Sequence, residues 1–178
     1  LARFFLATRD LEESDVVVRA TADNPLYCPD LTVRLIEHHL DSKCDYTGIA
    51  DALSPTVPEV LRVGALRGIA RAVDLDGYCR EHVTPYLRQG RSTLDVELLS
   101  PRWCELDPSL RLTVDTPDDL VRMNALYETL LALTGGGHPS FWTLEQIYSA
   151  ARALVAEPAA ERNAVYSRAD RSRLKSAA

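Results

Sequence analysis

Stretches with helical periodicity alternate with short apolar runs of strand length along most of this chain. The run at 15–20 is rich in β-branched residues and apolar on both faces, so we expect a buried central strand there. The run at 94–98 alternates apolar and polar residues, which is typical of an edge or partly exposed strand. Alternation of helices and strands predicts an α/β sandwich with a mostly parallel sheet.

The same patterns place the individual elements. We predict helices over 1–13, 29–41, 65–73, 78–89, 117–133 and 144–156, and strands over 15–20, 45–49, 59–63, 94–98 and 110–114. Pro85 lacks a backbone N–H and should bend or end the helix at 78–89. Thr116 suits an N-cap, Pro117 the first helical position and Asp119 a capping-box acid, so the start of the helix at 117–133 is the best-defined local feature.

The length and charge of the chain exclude several classes of protein. Its 178 residues suit one globular domain, which we assign to 1–159, with 160–178 as a basic helical tail or linker. A net charge of −6 has the wrong sign for a nucleic-acid partner. The apolar runs are far shorter than the roughly 20 residues that a membrane helix needs, so we expect no membrane span.

The four cysteines indicate a reducing compartment. Cys28, Cys44, Cys79 and Cys104 are scattered and form no Cys-x-x-Cys pair, which argues against a zinc ribbon and a redox dithiol. We therefore expect four free thiols and a cytoplasmic protein.

Two aspartates follow directly on predicted strands. Asp23 and Asp115 should stand at the carboxyl end of the sheet, where open α/β sheets bind ligands. If their strands are close neighbours, the two carboxylates can converge on one divalent cation, and Mg²⁺ prefers such oxygen ligands together with substrate phosphates. The alternative is that both are turn and capping residues, which are common at strand ends.

Three segments in order resemble a known enzyme family. They are 16–26 (VVVRATADNPL), 80–88 (REHVTPYLR) and 110–120 (LRLTVDTPDDL), and they are similar to segments of the cytidylyltransferases of the spore-coat polysaccharide and 3-deoxy-manno-octulosonate type. The resemblance implies a Rossmann-like nucleotidyltransferase fold. It also implies Mg²⁺-dependent transfer of CMP from CTP to a sugar acid, phosphate or phosphonate acceptor, with release of pyrophosphate.

The resemblance also assigns roles to residues. Asp23 and Asp115 become the two metal ligands, and a nucleotide-binding set comprises Arg19, Thr21 and Asn24. A small anionic acceptor is assigned to Arg80, His82 and Glu59. The alternative for Arg80 and His82 is a helix surface in which Glu81 is the ion-pair partner.

One part of the family pattern has no counterpart here. Family members begin with a strand and a loop rich in glycine and basic residues that wraps the CTP phosphates, and we expect this N-terminal segment to be truncated, disordered or on another chain. Gly135, Gly136 and Gly137 follow a predicted helix without a lysine after them, so they indicate a helix end and not a phosphate loop. An incomplete sheet with apolar edges also favours a homodimer.

Two other functions stay open. The chain is then either a non-catalytic nucleotide-binding or assembly module of a larger protein, or a metal-dependent glycosyltransferase in which a strand-end aspartate binds the cation.

Overall fold

A computed structural model describes residues 1–49, 56–99, 110–138 and 142–156. They fall into two compact units, the first made of Leu1–Ala20, Thr32–Ser54 and Pro58–Arg102, and the second of Thr21–Leu31, Pro55–Val57 and Trp103–Ala178. The elements in chain order are α1 (Ala2–Ala7), β1 (Val16–Arg19), α2 (Pro29–Ser42), β2 (Tyr46–Ile49), β3 (Glu59–Arg62), α3 (Val63–Arg71), α4 (Gly77–His82), α5 (Pro85–Arg88), β4 (Val96–Leu99), α6 (Pro117–Leu133) and α7 (Leu144–Ala156).

The first unit is built on a four-stranded sheet in the order β1-β3-β2-β4. β2 and β4 pair in parallel, while β3 is antiparallel to both β1 and β2, so three of the four strands run in one direction. The α/β class is confirmed, and β3 is the exception to the mostly parallel sheet that we expected. Its reversal has a simple cause, because the link from Ile49 to Glu59 is shorter than the dozen or more residues that a parallel crossover needs.

The position of β1 differs from the prediction. We expected a buried central strand, but β1 lies at an edge of the described sheet with β3 as its neighbour, and Val18 is 46% exposed. β-branched residues favour the extended backbone, but they do not determine how many neighbours a strand has. β4 lies at the opposite edge, as its alternating pattern predicted.

One predicted element is absent and another is shorter than expected. The predicted strand at 110–114 is wrong, since residues 110–114 form no strand, although Val114 donates one backbone hydrogen bond to the Asp23 carbonyl. The helix predicted over 1–13 ends at Ala7. Cys104 and the predicted tail at 160–178 lie outside the described residues.

Pro85 divides the helix predicted over 78–89, as expected. α4 ends at His82 and α5 starts at Pro85, and the intervening Val83 has a φ of 71°. Thr84 N–H donates to the His82 carbonyl at 2.9 Å, which closes a tight three-residue turn. Such a backbone is unfavourable for a β-branched residue, and the fully buried side chain of Val83 holds it in place.

Each unit has its own apolar core. The core of the first unit includes Tyr46, Leu61, Leu66, Ile69, Cys79, Val83 and Leu87. In the second unit α6 packs against α7, and the buried residues include Met123, Leu126, Leu130, Trp142 and Ile147. Cys28, Cys44 and Cys79 are buried and form no disulfide, as predicted for these three. None of the described helices combines the length and the apolar character required to cross a membrane.

His39 is a buried histidine in α2 whose protonation should destabilise the fold. Its Nδ1 lies 2.9 Å from Thr47 Oγ1, and its buried Nε2 has no hydrogen-bond partner. Burial first, and then the charge of Arg62, lower the pKa of His39 below its usual value. The unfolded chain therefore takes up this proton at about pH 6.5, before the folded chain does.

We expect the free energy of unfolding to decrease as the pH falls below about 6.5, towards the lowered folded pKa. In His39→Gln this decrease should be smaller, whereas His82→Gln, at an exposed position, should behave like the wild type. Urea unfolding between pH 5 and 7.5 measures the slopes. Equal slopes in the wild type and His39→Gln contradict this assignment.

Candidate functional site

A short turn places Asp23 at the surface of the second unit. Asn24 N–H donates to the Thr21 carbonyl at 3.1 Å, and Asn24 Nδ2 donates to Thr21 Oγ1 at 2.9 Å. The Tyr27 hydroxyl accepts from Thr21 N–H at 2.6 Å and donates to the Thr21 carbonyl at 3.1 Å. Thr21 and Asn24 therefore hold the backbone on both sides of Asp23, whose side chain is exposed.

The capping box at the start of α6 fixes the backbone of Asp115. Thr116 Oγ1 accepts from Asp119 N–H at 3.2 Å, and the buried Asp119 carboxylate accepts from the N–H groups of Asp115 and Thr116 at 3.1 and 3.0 Å. A close ion pair with Arg122 is the main reason why the pKa of Asp119 lies far below its usual value, and the hydrogen bond from Thr116 adds to this effect. Asp119 thus stays charged and holds Asp115 in place.

The segments that carry the two predicted aspartates are joined within the second unit. Val114 N–H donates to the Asp23 carbonyl at 2.8 Å, and Asp115 is the residue that follows Val114. Both aspartates are exposed. Asp115 Oδ2 accepts from Thr113 Oγ1 and from Arg111 Nη2, each at 3.1 Å. The structure therefore joins the two segments, which are far apart in sequence, by a backbone hydrogen bond between Asp23 and the residue before Asp115.

The donors at this junction suit a hard cation such as Mg²⁺. Asp23 and Asp115 supply carboxylate oxygens, and next to Asp23 lies the Asn24 Oδ1 oxygen, which is buried and has no hydrogen-bond partner. In the part of the chain that the structure describes, no group of three or more His, Cys, Asp or Glu side chains is arranged to hold a metal. Mg²⁺ commonly takes only one or two carboxylates and completes its shell with water and phosphate oxygens, so the residues present fit it.

Arg19 and Glu59 form an ion pair in the first unit. The Glu59 carboxylate also accepts from the Tyr46 hydroxyl at 2.6 Å and lies 3.7 Å from Arg88 Nη1. Arg88 Nη2 donates to the Ile49 carbonyl at 2.8 Å, and the Arg19 guanidinium lies over the Phe4 ring. Arg19, which we assigned to the nucleotide, and Glu59, which we assigned to the acceptor, are therefore paired with each other.

Tyr46 and Arg88 were missed by sequence reasoning. Arg88 lies at the end of the segment at 80–88, but no local pattern pointed from it to Glu59. Burial, and then the charge of Glu59, raise the pKa of the Tyr46 hydroxyl far above its usual value, so this group remains a hydrogen-bond donor to Glu59.

Arg80 and His82 lie on α4 in the first unit, and both are exposed. Arg80 Nε donates to the Leu75 carbonyl at 3.2 Å, and the His82 ring packs 4.4 Å from the Tyr78 ring, centroid to centroid. Both side chains are open to solvent, as residues that bind a small anion must be. The local contacts are also those of a helix surface, which was the alternative from the sequence.

Comparisons with known proteins support the sequence resemblance. The chain is 33% identical over 124 residues to the spore coat polysaccharide biosynthesis protein SpsF of Bacillus subtilis, which is 70% of this chain and 52% of that protein. The structure is similar to that of a cytidylyltransferase from Leptospira borgpetersenii, with a TM-score of 0.64 and 19% identity, over 85% of this chain and 62% of that one. The chain is thus related in sequence to a spore-coat polysaccharide biosynthesis protein, and it has the fold of a cytidylyltransferase.

A second relative of the chain is an uncharacterized protein of Methanocaldococcus jannaschii, 33% identical over 119 residues, or 67% of this chain and 48% of that protein. No family model matches the chain. The chain spans about half the length of the curated relatives it matches. The fold neighbour confirms the Rossmann-like nucleotidyltransferase architecture that the sequence predicted.

Proposed function

We propose that this chain carries the metal-binding part of a Mg²⁺-dependent cytidylyltransferase. The proposed reaction transfers CMP from CTP to a sugar acid, phosphate or phosphonate acceptor and releases pyrophosphate. The observation that supports the proposal is the hydrogen bond from Val114 N–H to the Asp23 carbonyl, which joins the segments of two exposed aspartates. The free thiols of the described cysteines support a cytoplasmic location.

In this mechanism Asp23 and Asp115 would hold the cation through their carboxylate oxygens, and Asn24 Oδ1, next to Asp23 in sequence, would supply a further oxygen acceptor. A bound Mg²⁺ supplies neutralisation of phosphate charge. An acceptor oxygen attacks the α-phosphorus of CTP, and the bond to the bridging oxygen of pyrophosphate breaks. Thr21 and Asp119 orient the two carboxylates through the hydrogen bonds described above. Positioning of this kind contributes because phosphoryl transfer needs little covalent chemistry from the protein.

The acceptor and nucleotide assignments in the first unit are also proposals. Arg80 offers a bidentate guanidinium for a carboxylate or phosphate, and His82 offers a ring N–H donor. Both are exposed. Arg19 and Glu59 form an ion pair with each other, which supports a role in stabilising the sheet and the segment at 85–88.

Cation binding and pyrophosphate release test this function together. The protein is titrated with Mn²⁺ as a spectroscopic substitute for Mg²⁺, and pyrophosphate is measured with CTP, Mg²⁺ and a panel of sugar acids, phosphates and phosphonates. We expect Mn²⁺ binding that is lost in Asp23→Asn, and pyrophosphate release with at least one acceptor. Three other results contradict the proposal. Turnover of a nucleotide-sugar donor favours a glycosyltransferase, CTP binding without turnover favours a non-catalytic module, and undiminished Mn²⁺ binding by Asp23→Asn excludes the metal site.

A further inference from the structure

Arg111 stands beside Asp115 with most of its hydrogen-bond donors unused. Its Nη2 donates to Asp115 Oδ2 at 3.1 Å and to Asp119 Oδ2 at 3.4 Å. Nε and Nη1 donate no hydrogen bond to any residue that the structure describes, and the side chain is 57% exposed. Arg111 therefore touches a proposed metal ligand with one nitrogen and offers its other nitrogens to solvent.

The second arginine in contact with Asp119 is differently placed. Arg122 forms a close ion pair with Asp119 Oδ1, its side chain is 30% exposed, and its Nε is buried without a partner. Arg122 therefore neutralises the buried carboxylate of the capping box. Arg111 is the arginine of the pair whose donors remain accessible to a ligand at the Asp23–Asp115 junction.

The negative charges at this junction favour a cationic side chain near a bound nucleotide. The chain carries a net charge of −6, and Asp23, Asp115 and Asp119 add three carboxylates at or beside the site. A single divalent cation offsets only part of the repulsion between these carboxylates and a triphosphate. A guanidinium N–H donates a charge-assisted hydrogen bond to a phosphate oxygen, so one exposed arginine adds both charge and orientation.

We propose that Arg111 binds a phosphate oxygen of the nucleotide through Nη1 while Nη2 holds Asp115. This inference rests on the proposed function and adds a substrate-binding residue to it. Its consequence has two opposite parts. The positive charge of Arg111 weakens binding of a cation alone, because like charges repel, and strengthens binding of a nucleotide that carries negative phosphates.

Arg111→Gln tests both parts. With Mn²⁺ alone, we expect about twofold to fivefold tighter binding in the variant, as removal of one partly screened charge allows. With Mn²⁺ present at saturation, we expect CTP binding to weaken by about 10- to 100-fold, the range of a lost charge-assisted hydrogen bond. Arg111→Lys should restore part of the CTP affinity, because it keeps the charge and loses the fork.

A merely structural role gives a different pattern. If Arg111 only fixes Asp115, Arg111→Gln weakens Mn²⁺ and CTP binding together. The control Arg122→Gln removes the other ion pair of Asp119, so it should lower the free energy of unfolding and leave the ratio of CTP to Mn²⁺ affinity near that of the wild type. Unchanged CTP affinity in Arg111→Gln also overturns the inference while the metal site stands. If the wild type binds neither Mn²⁺ nor CTP, the proposed function falls as well.

Discussion

Asp115→Asn is expected to reduce pyrophosphate release by about 10²- to 10⁴-fold, because loss of a metal ligand removes several kcal/mol of charge stabilisation in the transition state. Mn²⁺ affinity should fall in parallel, which gives a readout that does not depend on turnover. The fold should be nearly unchanged. The Asp115 side chain is 55% exposed, and asparagine of the same size can still accept from Thr113 and Arg111 through its amide oxygen. The free energy of unfolding should therefore change by less than about 1 kcal/mol.

Asp118→Asn is the matched control for this prediction. Asp118 is an exposed carboxylate in the first turn of α6, so the variant removes the same charge from the same helix end. It should weaken the favourable interaction with the helix dipole by a few tenths of a kcal/mol and leave Mn²⁺ binding intact. Equal losses of Mn²⁺ affinity in the two variants would mean that Asp115 contributes only its negative charge and is not a ligand. Full Mn²⁺ affinity in Asp115→Asn contradicts its assignment as a ligand.

The start of α6 shows what a local pattern can predict. Thr116, Pro117 and Asp119 are confirmed as N-cap, first-turn proline and capping-box acid, since each contact spans only a few residues. The division of the predicted helix at Pro85 follows from the missing N–H and the fixed backbone of one residue. Elements whose cause lies within one turn of the chain are thus accessible from sequence.

Features that depend on distant partners were not accessible in this way. β-branched residues predicted that Val16–Arg19 is extended, but its place at the edge of the described sheet depends on where β3 pairs. The segment at 110–114 has an alternating pattern, yet its recorded pairing to the Asp23 segment is the single bond from Val114. We expected Asp23 and Asp115 to meet at two strand ends, whereas the structure joins their segments through a turn at 21–24 and the capped start of α6.

The role of Asp119 illustrates the same limit within the candidate site. Its position in the capping box was predicted, but its burial and its ion pair with Arg122 depend on packing. The resemblance to the cytidylyltransferases singled out Asp115 within the same segment and gave no reason to assign Arg111. The motif therefore indicated the candidate metal ligand, whereas the residues that contact it were found only from the structure.

Glu59 forms an ion pair that should stabilise the first unit strongly. Its partner Arg19 lies 40 residues away in sequence, and the side chains of Arg19, Glu59 and Arg88 are only 15%, 14% and 16% exposed. Removal of the single carboxylate leaves the Arg19 guanidinium in a largely buried position without its ion-pair partner. Its Nε is already buried without a hydrogen-bond partner, so little compensation is available at that atom.

We expect Glu59→Gln to lower the free energy of unfolding by about 3 kcal/mol, as is usual when one partner of a buried ion pair is removed. Glu97→Gln is the matched control, because Glu97 is a paired glutamate of the same sheet, but its side chain is 36% exposed, and its loss should cost less than about 1 kcal/mol. Replacing both members, as in Arg19→Met with Glu59→Leu, should recover much of the loss, since no unpaired charge then remains. Urea unfolding measures all three variants. If Glu59→Gln costs no more than Glu97→Gln, the ion pair does not hold the sheet, and the predicted role of Glu59 in binding the acceptor becomes the better explanation of its position.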